Sequence, residues 1–152
     1  MQHTFKPWFS LLLLTVGGMV YLMFRPRTLV LFVVAGALGL DGWVDGVREC
    51  VGGVALPEFV VYCLPNGLWA LAYVIVIDWV MQSYSRGTRL LCASIIPVLG
   101  AVSELMQLCG WLPGTFDVGD VVCYLLPLLL YATWLVLAKS NPKPTLQSTN
   151  QP

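Results

Sequence analysis

The sequence predicts an all-α integral membrane protein, a polytopic bundle of transmembrane helices. Apolar residues make up 58% of the 152 residues, and the mean hydropathy is +0.79. Charged residues contribute only 11%, where soluble domains average about 25%. So few charges cannot cover a soluble domain of this size, which excludes a soluble enzyme. The eight basic and eight acidic residues cancel, which argues against a nucleic-acid partner and leaves the lipid bilayer as the expected one.

Apolar stretches predict about five spanning helices within a single domain, residues 1–139. A helix needs about 20 residues to cross the hydrocarbon core, and these runs are too long and too uniformly apolar for barrel strands. The predicted spans are 8–24, 28–47, 65–82, 90–112 and 118–138. The second reaches spanning length only if its helix continues through Asp41 toward Val47. The alternative has four spans, with the second or third segment re-entering the membrane.

The start of the third span has two interpretations. Pro65 suits the first turn of a helix, because it has no N–H to donate, and residues 54–64 would then lie at the outer surface. The alternative begins the span at Phe59, since residues 59–77 carry no charge. Asn66 would then be buried and would need a hydrogen-bond partner.

The basic residues orient the five-span bundle. One side receives Arg25, Arg27, Arg86, Arg89, Lys139 and Lys143, and the other receives Lys6 and Arg48. The positive-inside rule therefore predicts an outer N-terminus and a cytoplasmic C-terminus. Residues 140–152 are polar and Pro-rich and predict a disordered cytoplasmic tail. In this topology the acidic residues lie near the outer face, except Asp78, which we expect to anchor Arg86 or Arg89.

Four polar residues near the outer end of the fourth span predict a binding pocket. Glu104 and Gln107 lie three residues apart, so both point to one helix face. A short turn rich in Gly and Pro returns the chain to Asp117 and Asp120 at the start of the last span. This turn brings the four side chains together beside a helix N-terminus, a frequent ligand site. Two structural alternatives remain open: Asp117 as an ordinary N-cap, and Glu104 as the partner of an Arg from another helix.

A second polar stripe follows the second apolar segment. Asp41, Asp45 and Arg48 are spaced i, i+4 and i+7, so they share one helix face. Arg48 is the only Arg predicted outside, and a salt bridge to Glu104, or to an Asp of its own stripe, would lower the cost of burying both charges. The alternative is an interfacial helix with one wetted face.

Several kinds of site are not expected. The five cysteines lack metal-ligand spacing, and the single His3 is terminal, which excludes a zinc site or a His-based catalytic dyad. No phosphate-binding Gly-rich motif occurs. We therefore expect no cofactor and no metal. Free, buried thiols are favoured over two disulfides among the outer cysteines.

The segment SELMQLCGWLPGTFDVGDVVCY resembles the VanZ-like family of small bacterial membrane proteins. The similarity covers about 35 residues and assigns Glu104, Gln107, Asp117 and Asp120 to the family's Glu-x-x-Gln, Gly-containing turn and paired aspartates. Asp45 stands where the family often has a His. The resemblance implies a multi-pass protein of the bacterial inner membrane, with a role related to resistance against glycopeptide antibiotics.

Three hypotheses for function follow. The leading one is an outer-face pocket that binds an envelope lipid, a cell-wall precursor or an amphiphilic antibiotic, with Glu104 as acceptor and Arg48 as counter-charge. The second is a membrane enzyme in which Glu104 acts as a general base on a lipid-linked substrate. The third is a non-catalytic subunit that binds another membrane protein.

Overall fold

The computed structural model describes residues 7–27, 30–51 and 53–140, and confirms the all-α class for this part of the chain. Every regular element in these ranges is a helix. The helices are α1 (Pro7–Phe24), α2 (Val30–Ala37), α3 (Asp41–Glu49), α4 (Glu58–Tyr62), α5 (Leu64–Val80), α6 (Arg86–Leu108) and α7 (Val118–Ser140). Of the predicted tail, residues 141–152 lie outside the described residues, and Ser140 is the last residue of α7.

Within the described residues, three helices are long and apolar enough to cross a membrane by length and composition. They are α1, α6 and residues Val118–Ala138 of α7. In these windows only 11% to 22% of the residues are buried, so their apolar side chains face outward, as contact with lipid requires. The shorter helix α5 has 17 residues, at the lower limit of about 17 for a span.

Helix α5 is the centre of the bundle and packs against α1, α6 and α7, while α6 also packs against α7. Small residues bring the helices close together: an added Cβ on Gly17 of α1 would lie 2.7 Å from the Trp69 Nε1 atom of α5. A core of Val74, Ala93 and Tyr131 joins α5, α6 and α7. Helix α1 makes no comparable packing contact with α6 or α7, so a cleft remains between α1 and α7 over α5.

The prediction of one helix over residues 28–47 is wrong. Helix α2 ends at Ala37, and Gly39 has a φ of +72°. The Leu40 N–H donates to the Ala35 carbonyl and the Gly39 N–H to the Gly36 carbonyl, both at 2.9 Å, which is the Schellman pattern that ends helices. Helices α2 and α3 are each about 12–14 Å long, far short of the roughly 30 Å hydrocarbon core.

Helices α2 and α3 fold back against the C-terminal end of α1, from which the chain enters them. Phe32 and Val44 pack against Tyr21 of α1, and the Arg48 Nη2 at the end of α3 donates to the Arg25 carbonyl at 2.8 Å. The segment therefore returns to its starting end of the bundle instead of crossing it.

The hairpin of α2 and α3 determines which helix ends lie together in the bundle. The Arg25 guanidinium donates to the Tyr62 carbonyl at 3.0 Å, so the end of α1 meets the start of α5. At the opposite end, Phe9 of α1 lines one cavity together with Asp78 of α5 and Trp134 of α7. The first turns of α1 and the last turns of α7 thus share one end, as in the four-helix alternative, whereas five spans would separate them.

We call the end with Glu104, Asp117 and Asp120 the acidic end, and the end with Arg86 and Arg89 the basic end. The predicted grouping of Arg25 and Arg27 with Arg86 and Arg89 is wrong, because α1 finishes at the acidic end.

The predicted anchoring of Asp78 at the basic end is confirmed. Asp78 pairs with Arg89 and accepts a hydrogen bond from the Tyr131 hydroxyl. Arg86 instead donates to the Leu135 carbonyl of α7 at 3.3 Å.

Local signals set the limits of α6 four residues earlier than predicted at both ends. Ser85 caps its start, and its Oγ accepts from the Thr88 N–H at 3.2 Å. Gly110, with a φ of +72°, ends it. The Trp111 N–H donates to the Met106 carbonyl at 2.9 Å, again in the Schellman pattern.

The structure bears out one element of each interpretation of the third segment. Helix α5 begins at Leu64 with Pro65 in its first turn, as the first interpretation predicts, and Asn66 is buried, as the alternative requires. Only Cys63 separates α4 from α5, and Asn66 is 8% exposed. Asn66 donates to the Asp120 carboxylate at 3.0 Å. It is therefore buried and has the partner that the alternative interpretation requires.

Candidate functional site

A cavity of about 720 Å³ opens at the acidic end between α1, α5, α6 and α7. This volume falls in the range of roughly 300–1,000 Å³ that small-molecule sites occupy. The loop that joins α6 to α7 covers one side, and its residues Pro113, Gly114 and Thr115 line the cavity. Among the lining residues are all four polar residues that the motif predicts: Glu104, Gln107, Asp117 and Asp120.

Glu104 is the most deeply buried acid of the cavity, with 6% of its surface exposed. The Gln107 amide donates to its Oε1 at 3.2 Å, and the Asp117 backbone N–H donates to its Oε2 at 3.4 Å. A carboxylate accepts about four hydrogen bonds, so these two donors orient Glu104 without using up its acceptor capacity. No basic side chain forms an ion pair with Glu104 in the described parts of the chain.

The covering loop lies against Gln107 and adopts, at Gly114, a backbone conformation that favours glycine. Gly114 has a φ of +143°, and a Cβ at this position would lie 2.3 Å from the Gln107 Oε1. The same loop returns the chain to Asp117, which donates its backbone N–H to Glu104. The turn therefore holds the two sides of the predicted motif together, as its Gly and Pro content indicated.

The two aspartates have different partners. The Asp117 Oδ1 accepts from the Gly119 N–H at 2.7 Å, which is the capping role weighed for this residue. The Asp120 Oδ1 accepts from the Asn66 amide at 3.0 Å. The sequence analysis considered Asn66 only as a possible buried residue and did not predict that it belongs to the site. The signal that could have identified it is a polar side chain within an otherwise apolar helix.

Arg25 provides the positive charge of this cavity, a role that the sequence analysis gave to Arg48. Its guanidinium carbon lies 4.8 Å from the centre of the Tyr62 ring and 5.4 Å from that of Tyr21, within the distance of a cation–π contact. The Arg25 Nε is buried and has no hydrogen-bond partner among the described atoms. Its position just after α1 gave no clue in the sequence, because the five-span topology placed it on the opposite side.

Arg48 does not reach Glu104, and the predicted salt bridge is absent from the ion pairs of the described residues. Its guanidinium lies 5.4 Å from the Phe32 ring centre, and it donates to the Arg25 carbonyl. Arg48 therefore borders the cavity indirectly, by supporting the residue that lines it.

The rest of the second polar stripe also lies away from the cavity. Asp45 pairs with Arg27 rather than with Arg48. Asp41 lies against the end of α2, where a Cβ on Gly36 would be 3.1 Å from the Asp41 Oδ2. The hairpin of α2 and α3 explains these placements, because it directs the stripe toward the end of α1.

Cys63, just before α5, is expected to resist alkylation. Burial, together with the nearby carboxylates of Asp120 and Asp117, which disfavour a thiolate, raises the pKa of the Cys63 thiol to about 12. The thiolate fraction at pH 8 should then be roughly a thousandfold below that of an ordinary cysteine. In folded, detergent-solubilised protein, we expect N-ethylmaleimide to label the exposed Cys109 at least 100-fold faster than Cys63, as peptide mass spectrometry can measure.

The control for this labelling is protein unfolded in sodium dodecyl sulfate, in which both cysteines should react alike. Equal labelling rates in the folded protein would contradict the buried, acid-flanked position of Cys63.

The site offers negatively charged hydrogen-bond acceptors, the carboxylates on α6 and α7, and one guanidinium at the end of α1.

In residues 7–27, 30–51 and 53–140, no group of three or more His, Cys, Asp and Glu side chains is arranged to hold a metal ion. All five cysteines are free, although Cys50 and Cys109 are exposed rather than buried. Protein-family models, curated proteins and solved structures show no match to this chain.

Proposed function

We propose that this chain is a membrane protein whose cavity at the acidic end binds the polar part of an envelope amphiphile. A lipid head group, a cell-wall precursor and an amphiphilic antibiotic all fit this description, and the VanZ-like resemblance of residues 103–124 favours the same class. The observation that carries the proposal is the polar cavity of about 720 Å³ with the buried carboxylate of Glu104 in its wall.

A buried carboxylate is costly in an apolar helix unless it is paired, hydrated or protonated. Glu104 has two weak donors, at 3.2 Å and 3.4 Å, and faces an open cavity. An ammonium or hydroxyl group of a ligand would complete its hydrogen bonding. In this proposal Glu104 is the central acceptor, Gln107 orients it, and Asp117 and Asp120 shape the entrance. Arg25 takes the counter-charge role expected for Arg48.

We also propose the side of the membrane on which the site lies. In the sequence, Lys6 precedes α1, and Lys139 and Lys143 lie at or after the end of α7. A topology with four crossings by α1, α5, α6 and α7 would assign these three lysines to the same side as Arg86 and Arg89. The acidic end has three basic residues, Arg25, Arg27 and Arg48. The positive-inside rule then assigns the basic end and both termini to the cytoplasm, and the cavity to the outer face.

A labelling experiment tests this orientation. In a variant whose other cysteines are replaced, we expect Cys109, in the loop at the acidic end, to react with a membrane-impermeant maleimide added outside intact cells. The matched control is a cysteine introduced by Ser83→Cys in the exposed turn at the basic end, which should react only after the cells are opened. The reverse pattern would overturn the proposed orientation.

The binding proposal is tested by Glu104→Gln, which removes the charge but keeps the shape. We expect a bacterial polar lipid extract to raise the melting temperature of the purified wild-type protein and to have little effect on the variant. A hydrogen bond to a charged group contributes about 1.5–3 kcal/mol, or roughly a tenfold or larger change in affinity.

The matched control for this experiment is Glu49→Gln, which removes one exposed carboxylate outside the cavity and should bind like the wild type. A folded Glu104→Gln protein that is stabilised as strongly as the wild type would refute the proposed function.

A further inference from the structure

A second cavity, of about 280 Å³, lies between α1, α5 and α7. It is closer to the basic end of the bundle than the polar cavity is. Its lining is almost entirely apolar and includes Phe9 of α1, Leu71 and Ile75 of α5, and Pro127 and Leu130 of α7. The polar cavity uses the opposite ends of the same three helices. The two cavities therefore lie along the same three helices, and no residue lines both.

The positions of the lining residues make the two cavities successive along the bundle. On α5, Trp69 lines the polar cavity and Leu71 the apolar one; on α7, Tyr124 lines the first and Pro127 the second. Each change occurs within a single helical turn. Because α1 packs against α5 and makes little contact with α7, both cavities open into the same cleft.

The two cavities together extend along most of α5. On α5, Asn66 lines the polar cavity and Asp78 the far end of the apolar cavity, and their separation of twelve residues corresponds to about 18 Å. A hydrocarbon chain attached to a group in the polar cavity would thus extend along the apolar cavity in the direction that lipid chains take.

Charges of both signs line the polar cavity. Arg25 lies at the end of α1, while Glu104 and Asp120 lie on α6 and α7. The buried Nε of Arg25 has no partner among the described atoms, and a guanidinium suits a phosphate oxygen. The carboxylates suit an ammonium group. This arrangement is complementary to a zwitterion whose phosphate faces Arg25 and whose ammonium faces Glu104.

We propose that the ligand of this site is a zwitterionic phospholipid with an ammonium head group, bound with one hydrocarbon chain in the apolar cavity between α1, α5 and α7. This inference rests on the proposed function and narrows its ligand class. It assigns Arg25 to the phosphate and Leu130, with its neighbours, to the chain.

Three probes separate the two halves of the ligand. Dioleoyl phosphatidylethanolamine has both, dioleoylglycerol has only the chains, and phosphoethanolamine has only the head group. With the purified full chain in detergent, we expect microscale thermophoresis to show the phospholipid binding at least tenfold more tightly than either partial probe. Phosphoethanolamine binding as tightly as the phospholipid would overturn the role of the apolar cavity, and failure of the phospholipid to bind would overturn the whole inference.

Two variants assign the halves to their residues. Arg25→Gln is expected to weaken phospholipid binding tenfold or more and to leave dioleoylglycerol binding unchanged, while Arg25→Lys, which retains the charge, restores part of the loss. Leu130→Trp should fill the apolar cavity and weaken phospholipid binding tenfold, without changing phosphoethanolamine binding.

The matched control for Leu130→Trp is Leu137→Trp. Both leucines lie on α7 and are about equally exposed, at 61% and 62%, but Leu137 lines neither cavity. Equal effects of the two substitutions, or an Arg25→Gln protein with wild-type phospholipid affinity, would refute this inference. If the polar lipid extract still distinguishes Glu104→Gln from the wild type, the proposed function stands and only the phospholipid assignment fails.

Discussion

Asp78→Ala is expected to destabilise the folded protein by about 3–5 kcal/mol, the range for removing one partner of a buried ion pair. The Asp78 carboxylate pairs with Arg89 and accepts from the Tyr131 hydroxyl at 2.5 Å, and the side chains of the ion pair are only 12% and 15% exposed. The Arg89 Nε is already buried without a partner among the described atoms. The substitution would therefore leave a guanidinium uncompensated, and equilibrium unfolding in mixed micelles would measure the loss.

Two further variants separate the ion pair from general damage to the bundle. Asp78→Asn keeps an acceptor for the Tyr131 hydroxyl and should lose less stability than Asp78→Ala. The double variant Asp78→Ala with Arg89→Met removes both charges and should recover part of the loss, since replacing a whole buried pair by apolar residues is often tolerated. An Asp78→Ala protein within about 0.5 kcal/mol of the wild type would contradict the buried pair.

Gly100→Leu is expected to lower stability by at least about 1–3 kcal/mol, the usual cost of overpacking. A Cβ on Gly100 of α6 would lie 2.6–2.8 Å from three atoms of the Tyr124 ring on α7. The ring has to move, and it lines the polar cavity. A lower melting temperature in detergent should therefore be accompanied by weaker stabilisation by polar lipids.

The matched control is Gly18→Leu in α1, where an added Cβ meets no atom within 4 Å. Leu favours helix over Gly by roughly 0.5–1 kcal/mol, so this variant should be as stable as the wild type or slightly more stable. Equal melting temperatures for the two variants would show that α6 and α7 do not approach as closely as the Gly100 contact indicates.

The geometry of the α6–α7 motif was predictable because it is local. Glu104, Gln107, Asp117 and Asp120 lie within 17 residues of one another, and a single tight turn joins their helices. Helix periodicity placed the first two on one face, and Gly114 with its neighbours indicated the return of the chain. The structure brings all four to one cavity.

The broken second segment was also encoded locally, but another signal competed with it. Gly39 ends α2 in the left-handed conformation that glycine adopts without strain. In the sequence the same glycine lies within an apolar run that continues past Asp41, and hydropathy favoured a span. The hydrogen-bond pattern around Gly39 prevailed because two short helices bury Val44 and Phe32 against α1.

The sequence by itself determined that this is a membrane-type helical protein and that four polar residues converge between its last two helices. Only the tertiary structure decided that α2 and α3 fold back, that the first turns of α1 lie at the same end as the last turns of α7, and which two further residues belong to the site. Arg25 contacts Tyr62, 37 residues away, and Asn66 contacts Asp120, 54 residues away. Periodicity and turn chemistry act over a few residues, whereas such distant pairs depend on which helices pack together, and that in turn depends on whether α2 and α3 cross the bundle or fold back.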